Sequence, residues 1–233
     1  DEFETKLFDL PEGVYTCLIE NEDCEEQILT PGMDDEIFSR TKVPMTKNEV
    51  RVLSISRLEL TKKAVVYDVG SGTGSVSVEC ARLSPDIAVF AIEQKEEAAN
   101  LTKENAARLG LSDQIMVINK KAPEGFEELP TPTHVFIGGS SGALSDILSA
   151  IQKKLIVKEN TKGVRVVINA VSLETIAQIT KLIQTYPVKH VQLTQIQASR
   201  AHKLGSYNLM QAQNPVLIAS FNLLPDDKME ADE

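Results

Sequence analysis

Short runs of apolar residues alternate along the chain with longer stretches in which apolar residues recur every three or four positions. The runs are rich in valine, isoleucine and phenylalanine, as in strands buried on both faces of a parallel sheet. The longer stretches have the period of helices that pack one face against such a sheet. The predicted strands cover residues 65–69, 88–93, 115–118, 134–137, 163–170, 188–198 and 214–221.

The first five predicted strands alternate with helices, and the last two follow each other without one. This order predicts an α/β fold of the Rossmann-like, doubly wound type, with helices on both faces of the sheet. The sheet is predicted to be seven-stranded and mostly parallel, with strand 7 as an antiparallel edge strand. Because such open sheets bind ligands at the carboxyl ends of their strands, binding residues are expected where each strand ends.

The most informative motif follows the first predicted strand. Residues 65–75 read as a β-branched and aromatic strand, three alternating glycines and the start of a helix. The glycines permit backbone angles closed to other residues, and they let a ligand approach the main chain closely. A dinucleotide fingerprint, G-x-G-x-x-G, would place the third glycine one residue later. The spacing therefore favours a different ligand.

The pattern from Asp68 to Gly74, D-x-G-x-G-x-G, resembles motif I of the class I methyltransferases that use S-adenosylmethionine (SAM). In that family the loop cradles an amino acid and a ribose, and the acidic residue helps to hold the methionine end. Glu93 stands at the tip of the second predicted strand, about 20 residues past the glycines, where an acid accepts hydrogen bonds from ribose hydroxyls. A tight strand-to-helix turn without a ligand is the alternative.

Composition and charge narrow the possible functions. The 233 residues suffice for one α/β domain with a short appendage. The net charge of −10 opposes a phosphate-binding surface, so no nucleic-acid partner is expected. The three cysteines lack C-x-x-C spacing and a nearby histidine, so neither a disulfide framework nor a metal site is expected. With no membrane-spanning run and no signal peptide, the chain is expected to be cytoplasmic and to bind no membrane.

The two ends of the chain differ from its middle. Residues 1–31 are acidic and irregular, and we predict either an N-terminal arm of this domain or the end of an upstream domain with a linker. Residues 32–224 are predicted to form the main domain, and residues 225–233 a disordered acidic tail. Thr46 and Glu49 have the spacing of a capping box that would open a helix. Nearby cations indicate either an anion site or only a solvated face; they are Arg40, Lys42, Lys47 and Arg51.

Several stretches together point to one family within the class I methyltransferases. They are V-P-M-T-K (43–47), residues 68–77, V-F-I-G-G-S (135–140), V-I-N-A-V-S-L-E (167–174) and N-P-V (214–216). Over residues 32–223 they resemble, in matching order, the CbiT family of corrin (vitamin B12) biosynthesis. The resemblance implies a SAM-dependent enzyme that methylates C15 of a precorrin-6 intermediate, (cobalt-)precorrin-6B, and removes carbon dioxide from the acetate on ring C. It also implies a homotetramer. A fused or associated CbiE-type domain, another expectation from this family, would account for residues 1–31.

Carried over by position, the resemblance implies a SAM site at Thr46, Asp68, Gly70, Ser71, Gly72, Thr73, Gly74, Glu93 and Ala122. Family members often read G-D-A-P after strand 3, whereas this chain has Lys120 and Lys121 before Ala122, which leaves the adenine contact open.

The expected substrate is a polycarboxylated tetrapyrrole, which Arg, Lys and amide donors would bind. Gly138 and Gly139 are expected to form a backbone anion nest together with Ser140. Asn169, at the tip of strand 5, would face the methyl group. Further candidates lie between strands 6 and 7, where ordinary surface exposure is the alternative; they are Arg200, His202, Lys203 and Tyr207.

Two other functions stay open on the sequence alone. One is a SAM methyltransferase that acts on another substrate class, RNA or a small metabolite. The net negative charge of the chain argues against an RNA substrate. The other is a non-catalytic partner subunit that keeps the fold, against which the complete glycine loop and Glu93 argue. The sequence does not say whether cobalt is present in the substrate, whether C5 is also methylated, or which group protonates the product.

Overall fold

The computed structural model describes Gly13, residues 30–157 and residues 163–226. The predicted N-terminal arm or upstream remnant (1–31) and acidic tail (225–233) therefore lie almost wholly outside the described residues, and both stay predictions.

Helices and strands alternate through most of the described residues. The helices are α1 (Asn48–Leu58), α2 (Ser75–Ala81), α3 (Glu96–Arg108), α4 (Leu144–Val157) and α5 (Leu173–Thr185). The strands are β1 (Val65–Val69), β2 (Ala88–Ile92), β3 (Ile115–Ile118), β4 (His134–Ile137), β5 (Val164–Ala170), β6 (Val188–Ile196), β7 (Ser199–Leu204), β8 (Tyr207–Ala212) and β9 (Val216–Leu223). Short 3-10 turns occur at Asp35–Ile37 and Phe126–Glu128.

Seven of these strands form one sheet in the order β3-β2-β1-β4-β5-β9-β6. Strands β1 to β5 run parallel, and β9 is antiparallel to both of its neighbours. The predicted fold, including its antiparallel last strand, is confirmed. The predicted edge position of that strand is wrong, because β9 lies between β5 and β6 and pairs with both. Strand β6 is the edge strand on this side of the sheet, and β3 is the edge strand on the other.

Each face of the sheet has its own apolar core. Tyr67 and Val69 of β1 point toward α4 and α5, whereas Val66 points toward α1, α2 and α3. Apolar residues on both faces explain why the parallel strands read as continuous apolar runs rather than as alternating patterns. None of the helices within the described residues is both long and apolar enough to cross a bilayer.

Residues 199–212, predicted as an irregular connection, form a separate two-stranded hairpin of β7 and β8. Its side chains are nearly all exposed, so no apolar period marked it. The Gly205-Ser206 pair between two extended segments was the available signal, because Gly-x loops favour tight hairpin turns. The hairpin follows β6 directly and leads into β9.

The predicted capping box at the start of α1 is wrong. The helix begins at Asn48, and its N-cap, Lys47, makes no side-chain cap hydrogen bond. Instead, the N–H of Asn48 donates to Oδ1 of Asp35 at 3.1 Å, so a distant carboxylate satisfies one of the free helix amides. The Glu49 side chain accepts from Arg200 rather than from the helix backbone.

Candidate active site

A cavity of about 850 Å³ opens along the carboxyl ends of the parallel strands. Its wall comes from the loops that follow β1 to β5, from the segment before α1 and from the segment before β9. This is where an open α/β sheet binds its ligands. The cavity brings together most of the predicted site residues, namely Thr46, Gly70, Ser71, Gly72, Glu93, Ala122, Gly138, Gly139, Ser140 and Asn169.

The glycine loop after β1 is packed too closely for side chains. Gly70 has φ 75°, and a Cβ there would lie 2.6 Å from the carbonyl oxygen of Gly139 in the loop after β4. Gly72 has φ 59°, and a Cβ there would lie 2.8 Å from the carbonyl oxygen of Pro44. The protein's own backbone therefore requires glycine at both positions, and neither residue adds a side chain to the cavity wall.

Glu93 connects this loop to the tip of β2. The residue is 8% exposed, and its Oε2 accepts from the N–H of Gly72 at 3.1 Å. Its Oε1 accepts from the N–H of Lys95 at 2.9 Å. A carboxylate has about four acceptor sites, so both oxygens retain capacity for hydroxyl donors from a ligand in the cavity.

Asp68, by contrast, does not line the cavity. It is 1% exposed and lies beneath the glycine loop, where its Oδ2 accepts from Oγ of Ser77 at 2.5 Å. Its Oδ1 has no hydrogen-bond partner among the described residues. Burial raises the pKa of this carboxyl to about 6, against the hydrogen bond from Ser77. Thr73 and Gly74 also lie outside the cavity lining.

The segment before α1 is held over the cavity by a buried arginine. Arg51 is fully buried, its Nη1 donates to the carbonyl oxygen of Thr46 at 2.7 Å, and its Nε donates to Glu79 at 2.8 Å. The same Nη1 lies 3.1 Å from Asp35. Arg51 is thus committed to structure, and the predicted four-cation anion site is wrong in including it.

Five lysines nevertheless line the cavity of this acidic chain; they are Lys42, Lys47, Lys95, Lys120 and Lys121. Two of them have distant ion partners, Asp35 at 3.8 Å from Lys47 and Glu128 at 3.7 Å from Lys120. Carboxylates on the lining are fewer, Glu93 and Glu97. The lining therefore favours an anionic ligand although the whole chain is negatively charged.

The loop after β4 does not form the predicted backbone anion nest. The N–H groups of Gly138 and Gly139 both donate to the carbonyl oxygen of Val69, at 2.9 and 3.3 Å. That prediction is wrong because these donors already complete the contact between β4 and β1. The two glycines line the cavity without offering those amides.

Asn169, at the end of β5, lines the cavity, and its predicted position facing the methyl group stays a prediction. Its Nδ2 donates to Oγ of Ser54 in α1 at 2.9 Å. Near it, the lining contains residues that the sequence reasoning did not assign, Val171, Gln213 and Asn214. The N-P-V signature at 214–216 was the signal that could have found the last of these.

Arg200 is not in the cavity lining. Its Nε and Nη2 donate to both oxygens of Glu49 at 2.8 and 2.6 Å, and its Nη1 donates to Asp35 at 2.8 Å. This arginine holds the pKa of Glu49 below its ordinary value. Tyr207 is 72% exposed on the hairpin, where His202 and Lys203 are exposed too. None of the four hairpin candidates lines the cavity of a single chain.

Comparison with known proteins identifies the family that this chain matches. The family model for a precorrin methyltransferase domain matches residues 36–222. A curated protein of Pyrobaculum calidifontis, named probable cobalt-precorrin-6B C(15)-methyltransferase (decarboxylating), is 39% identical over 191 residues, which are 81% of this chain and 94% of that protein. A protein of the same name from Saccharolobus solfataricus is 33% identical over 199 residues, 84% of this chain and 98% of that one.

A solved structure of a precorrin methyltransferase also matches this chain. The crystal structure of precorrin-6y C5,15-methyltransferase from Geobacter metallireducens superimposes with a TM-score of 0.74 at 30% sequence identity. The match covers 82% of this chain and 96% of that one.

Proposed function

This chain belongs to the precorrin methyltransferase domain family, and on that premise we propose that it transfers the methyl group of SAM to C15 of (cobalt-)precorrin-6B and removes carbon dioxide from the acetate on ring C. The observation that carries the proposal is the shared cavity. The glycine loop and Glu93 form one wall, and the loop after β4, Asn169 and Asn214 form the other. A methyl donor and an acceptor would meet there.

The residues present fit SAM. The bare backbone at Gly70 and Gly72 leaves room for a closely bound ligand, and Glu93 offers free acceptor capacity to ribose hydroxyls. Thr46 closes the site from above, and Ala122 provides a small apolar surface for the adenine. When bound, SAM supplies a methyl group that its sulfonium charge has already activated. Asp68 would act from beneath the loop, by holding α2 and the loop in place.

The lysines of the cavity suit the polycarboxylated acceptor. Ammonium groups pair with carboxylates as point charges and tolerate several poses, so they attract and orient an anionic macrocycle. Lys42 and Lys47, on the segment over the cavity, are the best placed to reach an acceptor, because Lys120 and Lys121 adjoin Ala122 at the proposed adenine end.

The protein's part in the reaction is alignment and exclusion of water. Methyl transfer requires the acceptor carbon to lie in line with the donor, and positioning alone supplies a large share of such a rate. For the decarboxylation, the conjugated macrocycle accepts the electron pair left by the carboxylate. The apolar lining from Val69, Val171 and Val216 would hold that carboxylate out of water.

Glu93→Gln tests the cofactor half of the proposal. The substitution keeps the side-chain shape and removes the charge, so SAM binding measured by calorimetry should weaken about 10- to 100-fold, as for a lost charged hydrogen bond. Glu104→Gln, at an exposed position of α3 outside the cavity, is the matched control and should bind normally. Normal affinity in a folded Glu93→Gln variant would remove Glu93 from the site.

The acceptor half is tested by the position of the new methyl group. With SAM carrying a ¹³C-labelled methyl, NMR of the product should place the label on C15 and on no other carbon. Parallel reactions with cobalt-containing and metal-free precorrin-6B would identify the natural acceptor. A label on C5 would extend the activity, and label on neither carbon would contradict the proposal.

We also propose that the chain assembles into a homo-oligomer, a tetramer by family resemblance. What supports this is the hairpin of β7 and β8, a two-stranded ribbon that is marginally stable without further packing. It exposes Leu204, Tyr207 and Leu209 on one face and Met210 on the other. Light scattering coupled to size exclusion should give the mass of an oligomer, and a monomeric mass at micromolar concentration would contradict the proposal.

A further inference from the structure

Ser54 is a buried residue that the proposed reaction does not yet use. It lies in the middle of α1, is 0% exposed and does not line the cavity. Its Oγ lies 2.8 Å from the carbonyl oxygen of Val50, one turn earlier in the helix. The same Oγ lies 2.9 Å from Nδ2 and 3.1 Å from Oδ1 of Asn169. Since Ser54 and Asn169 are 115 residues apart in sequence, only the packing of α1 against β5 brings them together.

Ser54 contacts both polar atoms of the Asn169 amide. Its Oγ accepts from Nδ2, and its single proton is shared between the carbonyl oxygen of Val50 and Oδ1 of Asn169. The amide therefore has one edge held against α1, and removal of the hydroxyl would release that edge.

This contact determines which edge of the Asn169 amide is left for the cavity. One N–H of Nδ2 is bound to Ser54, so the second N–H remains for a ligand. The neighbouring wall is otherwise formed by side chains without charge, including Ser140, Val171 and Asn214. An amide donor held in place by α1 can therefore select the pose of a carboxylate on the acceptor without an ion pair.

We propose that Ser54 is a positioning residue, which holds the Asn169 amide so that its free N–H donates to a carboxylate of the acceptor. The inference rests on the proposed function, because the acceptor is the tetrapyrrole. It adds a residue outside the cavity that controls the acceptor half alone. SAM binding, which depends on the opposite wall, is not affected.

A double-mutant cycle of Ser54→Ala and Asn169→Ala tests this role in the full chain. The readouts are kcat/KM for the tetrapyrrole at saturating SAM, the Kd of SAM and the free energy of unfolding. Ser54→Ala should lower kcat/KM about 10-fold, Asn169→Ala by at least as much, and the double variant no further than Asn169→Ala alone. The Kd of SAM should stay within twofold of the wild-type value in all three.

Ser220→Ala is the matched control. Ser220 is also buried, at 1% exposure, and it also binds a side chain of β5, accepting from Arg165 at 3.2 Å at the opposite end of the strand. Its substitution should reduce the free energy of unfolding to a similar extent and leave kcat/KM within twofold of wild type. Ser54→Cys, which keeps the shape but is a poor acceptor, replaces Ser54→Ala if that variant does not fold.

The outcomes separate the two proposals. If Ser54→Ala lowers kcat/KM equally with and without Asn169, or leaves it unchanged, Ser54 is only structural and the inference fails while the proposed function stands. If the wild-type chain binds SAM but methylates no tetrapyrrole, the proposed function fails, and this inference fails with it.

Discussion

The carboxyl group of Asp68, one residue before the end of β1, is 1% exposed, and one of its oxygens has no hydrogen-bond partner within the part of the chain that the structure describes. Its pKa in the folded protein, about 6, lies above its ordinary value of 3.8 because burial disfavours the charged form. The folded state therefore binds this proton more tightly than the unfolded chain. The resulting stabilisation is complete below pH 3.8 and is lost as the pH rises through 6.

Asp68→Asn should remove this pH dependence. The amide stays neutral, so the variant should gain stability relative to wild type as the pH rises from 4 to 7, by on the order of 3 kcal/mol. Urea unfolding of the free protein across that range measures the difference. Asp86→Asn, at an exposed position before β2, is the control and should show no such trend. The same difference between Asp68→Asn and wild type at every pH would contradict the assignment.

Sequence reasoning could locate residues whose role follows from chain position. Gly70, Gly72 and Glu93 end parallel strands, and those ends meet at one edge of any such sheet. It could not separate Asp68 from them, because its burial depends on how α2 sits against β1. Nor could it assign the structural roles of Ser54 and Arg51, because their partners lie on other elements.

At the scale of elements, the loops after β1 and β4 form one unit. Their backbones touch at Gly70 and Gly139, and both N–H groups after β4 donate to the end of β1. These two loops of the proposed site are therefore coupled. A change in either loop should therefore alter ligand binding in both halves of the cavity.

Gly70→Ala tests this coupling. Alanine at φ 75° is strained, and its Cβ would require the backbone of Gly139 to move. We expect at least a 10-fold loss in SAM affinity by calorimetry and a similar rise in KM for the tetrapyrrole. Gly110→Ala, also at positive φ (69°) but with open space around it, controls for the strain alone. If both variants bind SAM equally well, the two loops are not coupled in this way.

The hairpin is tied to the rest of the chain by Arg200, with its bonds to Glu49 and Asp35. The side chain of Arg200 is 40% exposed, so solvent screening limits the contribution to about 1 kcal/mol. Arg200→Ala should raise hydrogen exchange in residues 199–212 several-fold, as measured by mass spectrometry, and affect global unfolding little. Arg40→Ala, which removes an exposed pair with Glu36, should leave the hairpin unchanged. Unchanged exchange in Arg200→Ala would show that other contacts hold the hairpin.

Elements were predictable where apolar pattern decides them, as in the five parallel strands buried on both faces. The hairpin was not found because its residues are exposed and carry no apolar period. The capping box failed for a different reason, since a carboxylate from Asp35 takes the place of a local cap. At the start of α1, local propensity gave way to a tertiary contact.

At the scale of the whole molecule, one edge of the sheet supplies the cavity in which we propose that the methyl donor and the acceptor both bind. The strand order places the glycine loop at the centre, with the proposed donor side toward β3 and the proposed acceptor side toward β9. Family membership was predictable because five separated stretches of sequence all line or support this edge. The acceptor contacts were less predictable, since Arg200 and Tyr207 lie on the hairpin rather than in the cavity.

Mass spectrometry of a cobalt-precorrin-6B sample incubated with this chain and SAM under anaerobic conditions tests the central claim most directly. We predict a product that has gained one methyl group and lost one carbon dioxide, with one S-adenosylhomocysteine formed for each molecule of product. SAM binding with a tetrapyrrole of unchanged mass would contradict it, and would leave a methyltransferase fold that acts on another acceptor.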